Sequence, residues 1–177
     1  GDNRARLMTT LKAKSALYDA WEGHAEALEK TNLEITNIEL SRVSADAKML
    51  GEMLDEVAAS SGSSVQESQS QLRFEAQIPR ILSTAVKLAG RSMCLEEDAL
   101  LTKALAVSKK KLGRDSVQTA RISLLLSDCY SDQRRFDQMR PLLVAAVDVY
   151  RNKSDVYPAE YAKALAKLGQ FDVDRTD

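Results

Sequence analysis

Laid over itself with a shift of 42 residues, the C-terminal part of the chain matches its own apolar and small positions. Leu100 falls on Leu142, Leu101 on Leu143, Ala104 on Ala146, Leu105 on Val147 and Val107 on Val149; further on, Ala120 meets Ala162 and Leu126 meets Leu168. Self-similarity at a fixed period restricts a fold more than local propensity does. Each copy is one small unit whose apolar face only its neighbours can cover, so the copies must stack into a continuous core.

The units read as helices. Apolar residues recur every three or four positions, with breaks near Gly90-Arg91-Ser92, Gly113-Arg114-Asp115, Gln133-Arg134-Arg135 and Asn152-Lys153-Ser154-Asp155. The pattern predicts helices over about 73–89, 93–112, 116–132, 137–151 and 158–170. Asp115 with Gln118 has the form of a capping box, and Pro158 stands where the first turn of a helix accepts a residue without an N–H. With 3 Pro, 7 Gly and 5% aromatic residues, there is little material for sheets. The fold class expected is all-α.

Ahead of the repeat, residues 4–57 contain no proline, and two stripes run through them at heptad-like spacing. The first is Leu7, Leu11, Tyr18, Trp21, Ala25 and Leu28; the second is Leu33, Leu40, Val43, Ala47, Leu50, Leu54 and Val57. Between Leu28 and Leu33 the phase jumps, which predicts either a stutter or a tight hairpin turning at Lys30-Thr31-Asn32. The serine- and glutamine-rich stretch that follows offers almost nothing to bury and reads as a flexible linker. The expected division is an N-terminal helical, coiled-coil-like segment 1–58, a linker 59–72, a helical repeat domain 73–172 and a tail 173–177.

The run from Leu126 to Leu143 resembles the tetratricopeptide repeat (TPR) of the 42-residue kind found in kinesin light chains. The resemblance is carried by Leu126, Tyr130, Phe136 and the pair Leu142-Leu143, followed by the small Ala146 and by Tyr157-Pro158-Ala159 opening the next helix. Three departures stand out: Met139 replaces the usual alanine, Gln133-Arg134-Arg135 has no turn glycine, and residues 73–94 match poorly at the 42-residue shift. The resemblance implies antiparallel hairpins stacked in a short right-handed superhelix, with two repeats and a lone last helix. It also implies a concave groove lined by the first helix of each pair. That places Arg121, Leu124, Asp128, Ser131, Lys163, Ala166 and Gln170 in a groove able to bind a peptide or helix.

Signs of other chemistry are absent. The single histidine, His24, has no nucleophile in pattern with it, and Glu22 and Glu26 are two positions away, where helical neighbours do not share a face. Cys94 and Cys129 alone cannot close a zinc site and read as small buried hydrophobes. No phosphate-cradling loop, cofactor motif or catalytic constellation is found, so neither enzyme activity, nor a metal, nor a cofactor is expected. The acidic run Glu96-Glu97-Asp98 reads as a solvated face. The basic run Lys109-Lys110-Lys111 reads as cations at a helix C-terminus.

A net charge of −1 gives no basic face for nucleic acid, and no run approaches the ~20 apolar residues of a membrane helix. The chain opens on Gly1-Asp2 without methionine, an opening compatible with a removed export signal, so cytoplasmic and exported locations both stay open. The function expected is a non-catalytic protein–protein interaction module, an adaptor or scaffold holding a protein or peptide partner. The alternative is a structural protein that forms homodimers through its N-terminal helices.

Overall fold

The structure is a computed structural model that describes residues 2–19, 25–60 and 64–173. Those residues form seven helices and no strand: α1 (Asp2–Asp19), α2 (Ala25–Ala59), α3 (Ser64–Ala89), α4 (Cys94–Lys111), α5 (Val117–Asp132), α6 (Phe136–Arg151) and α7 (Pro158–Val173). The protein is all-α. It divides into two compact units, residues 1–45 and 46–177, with the boundary inside α2.

In the first unit α1 and α2 run antiparallel, joined by Lys12 to Glu39 (3.2 Å) and by Ser15, which donates to Asn32 (2.7 Å). The turn expected at Lys30-Thr31-Asn32 does not form, because α2 passes through it unbroken. Thr31 resolves the phase jump. Its hydroxyl donates to the Ala27 carbonyl (2.8 Å), which satisfies its polar atom within the helix. Thr31 is therefore buried while Leu33 is exposed. Farther along α2, Val43, Ala47, Leu50, Leu54 and Val57 are buried as the second stripe predicts. Trp21 and His24 lie outside the described residues.

The serine- and glutamine-rich stretch expected as a linker over 59–72 is helical from Ser64 onward. Serine hydroxyls that would otherwise compete with the helix donate back to it, Ser68 to the Ser64 carbonyl (3.0 Å) and Ser70 to that of Glu67 (2.8 Å). Only one face of this part of α3 has to be covered, and Ser70 and Phe74 lie on it. At the other end, α7 runs through Val173, and residues 174–177 of the expected tail lie outside the described residues.

In the second unit α3 packs on α4, α4 on α5, α5 on α6 and α6 on α7, with α3 also against α5. The turns from α3 to α4 and from α5 to α6 are the same structure one repeat apart. Ser92 and Arg134 each have φ 56°, and the next residues, Met93 and Arg135, sit at φ −88°, ψ 58° and φ −87°, ψ 58°. Met93 N–H donates to the Leu88 carbonyl (3.1 Å) as Arg135 N–H does to that of Tyr130 (2.8 Å). Ser92 N–H reaches the Ala89 carbonyl (3.0 Å) as Arg134 N–H reaches that of Ser131 (3.0 Å). Both are Schellman turns in which a non-glycine residue takes the left-handed position. The same turn thus forms twice, 42 positions apart, without a glycine, and its first occurrence lies in the stretch where the sequence match is poor.

The connection from α4 to α5 differs. Ser116, not Asp115, caps α5, accepting from the Thr119 N–H (3.0 Å). Thr119 Oγ1 in turn donates to the Gly113 carbonyl (2.8 Å), where the chain turns at φ 87°. Four of the five paired positions on α4 and α6 share one environment, since Leu101, Ala104, Leu105 and Val107 are buried like Leu143, Ala146, Val147 and Val149, while Leu100 is buried and Leu142 half-buried. On α5 and α7 they part. Ala120 is buried and Ala162 exposed, because α5 has helices on several sides and α7 packs on α6.

Candidate functional site

The residues expected in a groove are split between α5 (Arg121, Leu124, Asp128, Ser131) and α7 (Lys163, Ala166, Gln170). Two ion pairs tie these helices together: Arg121 to Glu160 at 3.5 Å, and Asp128 to Lys167. The Arg121 guanidinium also stands 6.0 Å from the centre of the Tyr157 ring.

At the C-terminal end of this face lies a recess of about 310 Å³, with Asp128, Ser131 and Gln170 at its rim beside Lys167. Met139 and Phe171, both buried, and the more exposed Phe136 give it its apolar lining, the two phenylalanine rings meeting at 6.4 Å and tilted by 59°. Three of the seven expected residues therefore converge. Leu124 is buried and does not face solvent, while Lys163 and Ala166 are exposed away from the recess. Phe171, an apolar side chain near the chain end, is covered from within the protein.

Sequence reasoning missed the apolar lining of the recess, and it did not look at the matching positions of α3. The register of the twin turns sets Pro79 and Val86 of α3 at the positions of Arg121 and Asp128 on α5. Both are exposed, Val86 by 57%. Counting back one repeat from Arg121 and Asp128 would have found them.

Of three further expectations, one is overturned, one is extended and one holds in part. Glu97 is not solvated: only 3% exposed in the first turn of α4, it has its carboxyl pushed up to about 7 by burial and then by Asp132, Asp128 and Asp98. Of the basic run, Lys111 is buried inside the molecule, while Lys109 and Lys110 are exposed. Lys110 donates to the Ala58 carbonyl (2.7 Å), and the fully buried ammonium of Lys111 donates to Ser60 O (3.1 Å), Glu67 Oε1 (2.9 Å) and Ser70 Oγ (2.9 Å). The run stands in the last turn of α4, as expected, and Lys110 and Lys111 also reach carbonyls at the C-terminus of α2. Cys129 is buried as expected but Cys94 is only half-buried; Gln133 Nε2 donates to the Cys129 sulfur (3.1 Å), and burial, then Glu97, pushes its thiol up to about 12.

Among the described residues no cluster of three His, Cys, Asp or Glu could hold a metal, and no helix is long and apolar enough to cross a membrane. No known sequence family, curated protein or solved structure matches the chain.

Proposed function

We propose that this chain is a non-catalytic interaction module, a TPR-like adaptor or scaffold that holds a peptide or helix of a partner against α5 and α7. The observation that carries this reading is the recess itself. It joins an apolar lining to a polar rim on two successive first helices of the repeat, and its size suits one bulky side chain. The twin turns support the repeat reading, because one backbone arrangement recurs where the residues differ.

The test selects peptides from a random displayed library on the full chain and measures their affinity by fluorescence anisotropy. Ser131→Arg fills the mouth of the recess from a half-buried position in the last turn of α5; with helicity checked by circular dichroism, affinity should drop by about tenfold, ~1.4 kcal/mol. Selected peptides that bind this variant equally well, or a library that yields none, would end the proposal.

The second reading, homodimerisation through the N-terminal helices, has less support. In a single chain α1 already pairs with α2, and Leu11 is buried. Light scattering of the full chain tests it: a dimeric mass would bring this reading forward.

A further inference from the structure

Glu97 opens α4, at the end of a helix where a carboxylate ordinarily faces water and complements the dipole. Here it is buried against α5 instead. The charges that raise its pKa are negative: Asp132 and Asp128 from α5, and Asp98 from α4 itself. Cations nearby are already engaged, Arg135 with Asp98 and Lys167 of α7 with Asp128. On the α3 side, Lys87 is exposed and Arg91 donates to its carbonyl (3.3 Å). At the start of α6, which packs on the other side of α5, Arg140 is paired with Asp172 (3.2 Å), and Asp137 is exposed.

We propose that the joint between α4 and α5 is a proton-operated latch, closed while Glu97 is neutral and loosened when its proton leaves for solvent. A charged Glu97 sets four carboxylates (Glu97, Asp98, Asp128, Asp132) against two cations, and although Asp128 and Asp132 reach solvent, the Glu97 side chain itself is buried, where water does not screen it. The cheapest relief is to let water in between the helices. With the carboxyl raised to about 7, the change falls near neutral pH. Because α5 brings Asp128 and Ser131 to the recess, the latch also sets how firmly one wall of that recess is held. This last step rests on the interaction-module reading; the latch does not.

Cys129 reports on the joint, being 1% exposed while the joint is closed and electrostatically coupled to Glu97. The full chain carrying Cys94→Ser, which leaves one thiol, is labelled with iodoacetamide between pH 5.5 and 8.5. Rates are divided by those of the urea-unfolded chain at the same pH, which removes the intrinsic titration of the thiol. Protection of Cys129 should fall by about tenfold from pH 5.5 to 8 and stay level in Glu97→Gln. An equal fall in both proteins overturns the latch. Should Glu97→Gln fail to fold by circular dichroism, Asp132→Asn replaces it: the fall must shrink and shift to lower pH, and an unchanged profile overturns the latch. No partner enters this experiment, so its failure leaves the recess reading standing, and the reverse also holds.

Discussion

The guanidinium of Arg135 lies over the ring of Tyr130, 4.2 Å from its centre, at the turn where α5 gives way to α6. The same residue forms an ion pair with Asp98 of α4 and donates its backbone N–H to the Tyr130 carbonyl. One residue thus closes a Schellman turn with its backbone N–H and fastens that turn to α4 with its side chain. Arg135→Ala should lower the denaturation midpoint by more than the loss of an exposed ion pair does, because stacking is lost with the charge. Urea denaturation checks this. Arg135→Lys should recover only part, since an ammonium cannot stack as a plane.

The left-handed turn positions give a prediction of opposite sign. Ser92 and Arg134 hold φ 56° with a side chain in place, a conformation that glycine adopts without steric penalty. Arg134→Gly and Ser92→Gly should each stabilise the protein by about 0.5–1 kcal/mol, read as a raised Tm. The two effects should add, as the sites share no hydrogen-bond partner.

Lys111 should be among the least replaceable residues. Its ammonium is fully buried and satisfied by Glu67, Ser60 and Ser70, so Lys111→Met keeps the stem but strands those acceptors. A loss of about 3 kcal/mol is expected in urea denaturation. Lys109→Met, at an exposed position one turn from no such acceptor, should stay within about 0.5 kcal/mol.

Global stability should also depend on pH through Glu97. Its carboxyl titrates at about 7 in the folded chain and at 4.5 when unfolded. Between those values the folded state holds a proton that the unfolded state has released, so stability falls as pH rises through that window and levels off above it. The decline from this group should reach up to about 3 kcal/mol at full expression of the shift. Denaturation midpoints in wild type and Glu97→Gln, measured from pH 4.5 to 8, should converge at the acid end and separate at the alkaline end.

Legibility in the sequence followed how local each cause was. Helices α4 to α7 are readable because their apolar spacing and breaks are local, and Pro158 fixes a helix start by its missing N–H. The helical start of α3 was hidden because serine and glutamine say nothing until Lys111, far along the chain, supplies the reason to bury Ser70. Glu97 was misread for the same kind of reason: a carboxylate in an acidic run looks solvated until α5 is laid over it. At the recess, Asp128, Ser131 and Gln170 were found through the repeat register, while Phe136 and Phe171 needed the meeting of α6 and α7.

The twin turns carry a consequence for the economy of the chain. Residues 94–135 begin just after one Schellman turn and end on the other, so the segment is a cassette whose two seams have the same backbone shape. A second copy spliced in after Arg135 would meet both neighbours without a new loop. The array could thus lengthen by tandem duplication, leaving natural variation free to act on helix surfaces rather than on joints.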